Sequence, residues 1–257
     1  MSDSSRVVII EEPIGGWFAP WPNVFELSTF LSEESWILVG GLMVQLHAMA
    51  NGIDTVRPTV DLDILLDIEL SSSVVMKADR AISTLGYVLQ EPGDVRRKQS
   101  PHYRYVRHTA IGVEKIDVMV PEHAGPTAMR RLHGRPMFEV EGGTQALGRT
   151  MTCELKSISN DSARITVPDE LGALILKSAA YTADNRDRER HLQDAAVLAA
   201  CITDHATELH RLGGSDRKRL RVLATALEDP TNPAWLALSP DFRVAGTDTF
   251  RILTSSS

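Results

Sequence analysis

The stretch Thr59-Val60-Asp61-Leu62-Asp63-Ile64-Leu65-Leu66-Asp67-Ile68 sets the narrowest limit on what this chain can become. It runs from just after Pro58 to just before Ser71, and its length and apolar content predict a strand over residues 61–68. Side chains alternate faces along a strand, so Asp61 and Asp63 project together while Leu62 and Ile64 pack on the opposite face. Two carboxylates this close on a mostly apolar strand repel each other and resist leaving water. A divalent cation removes both penalties. Mg²⁺ in particular takes oxygen ligands, often one or two carboxylates together with substrate phosphates. The plainer reading is an edge strand whose aspartates are simply solvated.

Upstream, Trp36-Ile37-Leu38-Val39 predicts a short buried strand that stops at Gly40-Gly41 and gives way to a helix over residues 42–50. A glycine pair at such a junction lets backbone N–H groups approach a phosphate, and the helix N-terminus adds favourable electrostatics. A simple tight turn explains the pair equally well. Further strands are expected at 103–107, 113–120, 150–155 and 165–167, around a polar, glycine-rich stretch at 122–149. Trp17 and Trp21 sit in a Pro/Gly-rich arm expected to dock its aromatics on the body, followed by a helix capped by Asn23. Helices are expected at 72–85, 169–181, 188–202, 206–212 and 217–227, with Pro230, Pro233 and Pro240 ending that order. The fold class is α+β: a β-rich part over residues 1–167, then an α-helical part over 168–257.

Composition closes off several classes. Of 257 residues, 43% are hydrophobic and 24% charged, which excludes a collagen-like, coiled-coil or wholly disordered chain. No apolar run approaches the ~20 residues of a membrane span, so no membrane association is expected. The start lacks the apolar core of a secretory leader, and Cys153 and Cys201 stand alone. Both features fit a cytoplasmic protein and exclude a disulfide scaffold or a cysteine zinc site. The net charge of −7 argues against non-specific coating of nucleic acid but suits an enzyme that gathers metal-bound nucleotides on carboxylates. There is no G-x-x-x-x-G-K-[ST], G-x-S-x-G or H-E-x-x-H. His47, on the helix after Gly41, reads as a core histidine ahead of a pocket residue. Basic groups gather at Arg96-Arg97-Lys98 with His102, Arg104 and Arg107, at Arg130-Arg131 with His133 and Arg135, and at Arg217–Arg221. Tyr103 and Tyr105 interleave with the first group. It could hold an RNA backbone while an aromatic stacks on a base, or be a solvated charged face.

Gly40-Gly41, His47 and Arg57-Pro58-Thr59-Val60-Asp61-Leu62-Asp63 together resemble the signature of the DNA polymerase beta-type nucleotidyltransferase superfamily. Within it, the pattern of G-G, helix and R-x-T-x-D-x-D is most similar to the AbiEii/AbiGii toxin-like nucleotidyltransferases. The resemblance is clear over residues 36–68 and looser over 112–202. The spacer before Asp61 is longer than in most members, which an extra turn around residues 51–56 would absorb. The resemblance implies a mixed-sheet nucleotidyltransferase core with flanking helices and a third carboxylate on a neighbouring strand. In Glu114-Lys115-Ile116-Asp117-Val118-Met119-Val120, Asp117 is the choice, because it lies among apolar residues where an unpaired carboxylate is costly. Its ordinary alternative is a salt bridge to Lys115 or a nearby arginine. The segment around Leu174-Ile175-Leu176-Lys177 is similar to a family helix that presents a lysine, whose ammonium would meet a triphosphate or else snorkel to water. On the next helix, Asp194 and Arg186 match family positions, while the family's K-D pair is Arg190-His191 here. Asp194 either orients Lys177 or binds a metal-linked water.

The activity implied by the resemblance is transfer of an NMP from an NTP to an acceptor hydroxyl. Asp61, Asp63 and Asp117 would hold Mg²⁺ (or Mn²⁺). Gly40, Gly41, Thr59, Arg57 and Lys177 would steady the phosphates or, for Arg57, the acceptor. An RNA acceptor such as a tRNA end, a toxin or phage-defence role and a cognate antitoxin are implied by the family. A small-molecule acceptor of antibiotic type and a non-catalytic nucleotide-binding module are the alternatives.

Overall fold

The computed structural model describes residues 6–54, 57–71, 73–91, 103–123, 131–159 and 161–255. Arg96–Lys98, His102, Arg130 and part of the expected turn at 51–56 lie outside them. The first half runs β1 (Val7–Ile10), α1 (Trp21–Ser28), β2 (Trp36–Leu38), α2 (Gly40–Ala50), β3 (Asp61–Leu66), α3 (Val74–Thr84) and β4 (Val88–Leu89). Then come β5 (Arg104–Thr109), β6 (Gly112–Pro121), β7 (Arg131–Leu132), β8 (Arg135–Pro136), β9 (Phe138–Val140), α4 (Gly143–Leu147), β10 (Thr150–Lys156) and β11 (Ser162–Pro168). Helices complete the chain: α5 (Glu170–Ala183), α6 (Glu189–Cys201), α7 (His205–Arg211), α8 (Asp216–Ala226), α9 (Pro233–Leu236) and α10 (Pro240–Leu253). This is a mixed α+β architecture.

The main sheet has the order β2-β3-β6-β5-β4, with β9 paired to β6. β3 and β6 run parallel, and β2 and β5 flank them antiparallel. A second sheet, β1-β10-β11, packs beside it. Alternation on β3 sorts its residues as the sequence predicts. Leu62, Ile64 and Leu66 enter one apolar cluster with Ile116, Val118 and Tyr105, and all are essentially buried. Leu65 points the other way, into a cluster with Ile37 and the helix residues Leu171, Leu174 and Leu198. Asp61 and Asp63 share the face of Leu65. α2 ties the layers together, with Leu42 and Leu46 in the first cluster and Met43, Val44 and Ala48 in the second.

Several elements depart from expectation for identifiable reasons. Order does not stop at the late prolines, because Pro233 and Pro240 occupy the first turns of α9 and α10. The missing N–H of proline costs nothing at that position. Residues 7–10 form a strand because β10 supplies a parallel partner from far along the chain. The 122–149 stretch holds β9, α4 and the β7-β8 ribbon. α1 starts at Trp21, so Asn23 is inside the helix and buried rather than capping it. The arm docks as expected: Trp17 packs on Trp21 and Phe25 at 5.0 and 5.7 Å between ring centroids and donates to the Lys156 carbonyl at 2.9 Å. Among the described residues, no helix is long and apolar enough to cross a membrane.

Candidate functional site

Strand register builds the site. The β3–β6 pairing sets Asp63 beside Asp117 and Asp61 beside Lys115, and the β5–β6 pairing sets Arg104 beside Asp117. Paired residues on adjacent strands share a face. Three carboxylates and two cations therefore occupy one patch of the sheet. Arg104 grips Asp117 with two hydrogen bonds, Nε to Oδ1 at 2.8 Å and Nη2 to Oδ2 at 2.6 Å, and reaches Asp61 Oδ2 at 3.2 Å. Lys115 Nζ lies 3.3 Å from Asp61 Oδ1. That oxygen is shielded from solvent and accepts no hydrogen bond. The two hydrogen bonds to Asp117 raise the Arg104 pKa further. Burial raises that of Asp117, with Arg104 pulling against it.

Asp63 is different. Among the described residues nothing donates a hydrogen bond to its carboxylate, which is packed against the first turn of α2. Gly40 opens that helix with φ +69°, and a Cβ built there would fall 1.9 Å from Asp63 Oδ2 and 2.7 Å from Asp63 Cβ. Burial pushes the Asp63 pKa up to about 7, with Asp117 adding to the shift and Lys177 opposing it. Glycine at 40 thus answers two demands, a left-handed backbone and a side chain with no room to retreat. Gly40→Ala is expected to destabilise the protein by about 2–3 kcal/mol through the backbone strain and the overlap. Urea unfolding checks this. Pairing the change with Asp63→Gly should return part of the loss, and an unchanged denaturation midpoint for Gly40→Ala alone would contradict the account.

A second group of side chains meets the first at the diglycine. A Cβ at Gly41 would stand 2.7 Å from Thr59 Cβ and 3.3 Å from Arg57 Nη2. The same Arg57 nitrogen lies 3.4 Å from Asp194 Oδ2, and Lys177 Nζ donates to that oxygen at 2.7 Å. Lys177 and Asp194 are both nearly inaccessible. Burial alone would raise the Asp194 pKa, but Lys177 and Arg57 hold it below the usual carboxylate range. Of the two roles open to Asp194, its contact is with the lysine. The N-cap residue of α2, Val39, makes no side-chain capping hydrogen bond, so the first-turn N–H groups that such a cap would satisfy are left uncapped by it.

The sequence groups Arg104 with a basic surface cluster, whereas it lies on the acidic face. The signal is present in strand parity, but only once the β5–β6 register is known. Tyr105, expected as a stacking aromatic, is buried at 1% exposure and bonds Asp79, because its parity turns it into the apolar cluster. Tyr103 instead packs on Phe138, 5.4 Å between ring centroids. His47 is a core residue, with Nε2 2.9 Å from the Pro168 carbonyl. His191, which the sequence marks only as half of the Arg190-His191 pair, joins the surroundings of the site, within the field of Lys177 and Asp194. Burial, then Lys177 and Arg190, lower its pKa to about 4, so it is neutral at pH 7.

Among the described residues, no group of three or more His, Cys, Asp or Glu side chains stands ready to hold a metal ion. The guanidinium of Arg104 bridges Asp61 and Asp117 on this face. The donor chemistry nonetheless suits Mg²⁺. The Asp63 carboxylate and Asp61 Oδ1, which accepts no hydrogen bond although Lys115 Nζ lies 3.3 Å away, are hard oxygen donors.

No protein-family model matches the chain, and no curated protein matches it significantly. Among solved structures, the chain is similar to an antigenic nucleotidyltransferase-like protein from Paracoccidioides brasiliensis, with a TM-score of 0.49 and 13% identity over 83% of this chain and 90% of that one.

Proposed function

We propose that this protein is a metal-dependent nucleotidyltransferase that moves an NMP from an NTP to an acceptor hydroxyl on RNA, such as a tRNA end. The observation that carries the reading is the register of Asp63 with Asp117, with Asp61 on the same face and the Asp63 carboxylate set against the opening turn of α2. A patch with surplus carboxylate at a helix N-terminus is a poor structural device and a good receptacle for a cation–phosphate pair. In this reading residues 1–167 form the catalytic core and residues 168–257 contribute Lys177 and Asp194. The acceptor class, a cytoplasmic toxin or phage-defence role and a cognate antitoxin follow from the Gly40–Asp63 motif resemblance.

Asp61, Asp63 and Asp117 would hold Mg²⁺, which when bound offsets phosphate charge and lowers the pKa of the acceptor hydroxyl. The uncapped N–H groups at Gly40 and Gly41 orient the phosphates, and the missing side chains there let them approach closely. Lys177 and Arg57, oriented by their shared carboxylate Asp194, direct positive charge toward the departing pyrophosphate. Thr59 packs against Gly41 and fixes the strand entry. Rate enhancement comes from positioning and charge compensation, as for phosphoryl transfers generally.

Incubating the full chain with each labelled NTP, Mg²⁺ and total RNA tests the reading. Label is expected on RNA, and Asp63→Asn should reduce it by at least about 100-fold. Label on a small hydroxyl compound alone would move the activity to the small-molecule class. Nucleotide binding with no transfer would reject catalysis.

A further inference from the structure

We infer that Arg104 is the chain's own counter-cation for the acidic face, occupying Asp117 and Asp61 until a divalent ion and a triphosphate arrive together. The inference rests on the nucleotidyltransferase reading and adds to it the order in which that site fills. Three observations lead there. First, the patch holds three carboxylates against Arg104 and Lys115, so most of its charge is already balanced. Second, the Arg104–Asp117 contact is a forked pair of short charge-assisted hydrogen bonds, the geometry that makes arginine a strong competitor for a carboxylate. Third, Arg104 has somewhere to go. It is about one-third exposed, and its guanidinium lies 5.6 Å from the centroid of the Tyr103 ring, a cation–π contact it can deepen on release.

Charge links the binding of the ion to the binding of the nucleotide. An ion that takes Asp117 and Asp61 leaves the guanidinium without an anion, and a triphosphate delivered with that ion supplies one. Neither ligand alone does both. Metal and nucleotide should therefore bind with positive coupling, and Arg104 should be its source. By linkage each ligand tightens the other by the same factor.

The test is a Mn²⁺ titration of the full chain, with free Mn²⁺ followed by electron paramagnetic resonance, with and without a non-hydrolysable NTP analogue whose own Mn²⁺ binding is measured without protein and subtracted. Wild type is expected to bind Mn²⁺ weakly alone and about 10-fold more tightly with the analogue. Arg104→Gln should bind Mn²⁺ alone about 10-fold more tightly than wild type and lose most of the enhancement by the analogue. If the arginine serves only to hold β5 on β6, the variant will melt at lower temperature with wild-type Mn²⁺ affinity, and the inference fails. Should Arg104→Gln not fold, the wild-type protein still decides the matter. The Arg104 Nε–H resonance, held by Asp117, should change when Mg²⁺ and the analogue are added together, and persistence unchanged at saturation overturns the inference. Failure of these tests with Asp63-dependent RNA labelling intact would dismiss only the role of Arg104. Absence of Mn²⁺ binding in both proteins, even with the analogue, would overturn the transferase reading as well.

Discussion

Replacing Asp194 with asparagine should cost the protein about 3–5 kcal/mol of stability, the usual penalty for stranding one half of a buried ion pair. Two cations converge on Asp194 Oδ2, with Lys177 Nζ at 2.7 Å and Arg57 Nη2 at 3.4 Å. Lys177 is 5% exposed and springs from a helix whose neighbouring residues Leu174, Ile175 and Leu176 are buried. Its ammonium cannot reach water without disturbing the α5–α6 packing, so neutralising the carboxylate leaves an uncompensated charge inside. Adding Lys177→Met to Asp194→Asn removes that charge, and the double variant should recover most of the loss. Chemical denaturation of the four proteins gives the coupling directly. If Asp194→Asn and Lys177→Met lose similar amounts that simply add, the pair does not act as one unit. Stability and transfer should also part company. On the proposed transferase reading the double variant should regain its fold but not RNA labelling, because it lacks the positive charge which that reading places near the phosphates.

How far the site is legible in the sequence depends on whether a residue's meaning is local. Asp61 and Asp63 are legible because period-2 alternation is a property of six consecutive residues and places both on one face whatever the strand pairs with. Asp117 stands out because its neighbours are apolar. The diglycine can be located, but not the reason Gly40 is glycine, which is the Asp63 side chain occupying the space a Cβ would need. Arg104 escapes for a different reason. Its importance comes from the register of β5 on β6, and nothing within five residues of it records that. The Lys177–Asp194 contact joins two helices and is one of two options from sequence. α10 is hidden when proline is read as a terminator, whereas after Ser239 it is a good first residue of a helix. Local periodicity is enough for the carboxylates, while the cations that answer them are set by pairing between distant segments.

Asp63 should prove a liability to the fold, and that distinguishes a binding carboxylate from a structural one. Its pKa in the folded chain is raised to about 7, first by burial and then by Asp117, against an ordinary value near 4 when unfolded. The folded form therefore holds its proton more tightly than the unfolded form. The associated stability is complete below about pH 4 and disappears as pH rises through 7. In the presence of chelator, Asp63→Asn, which mimics the protonated acid, should match wild type near pH 4 and exceed it by up to about 4 kcal/mol at pH 8. Burial lowers the pKa of His191 to about 4 and that of His47 below its ordinary value, so both act in the opposite sense as pH falls below about 6.5, but both proteins share them and the difference cancels them. Thermal or urea unfolding of the pair across pH 4–8 makes the comparison. An aspartate with a structural purpose would show the reverse, with wild type more stable than the asparagine variant at pH 8. Adding Mg²⁺ together with a non-hydrolysable NTP analogue at pH 8 should then raise the wild-type midpoint and leave Asp63→Asn nearly unmoved, since only the ionised carboxylate gains from the ion. A carboxylate that weakens the fold without a cation and stabilises it with one would be retained for binding rather than for structure, which is the outcome the proposed transferase reading requires of Asp63.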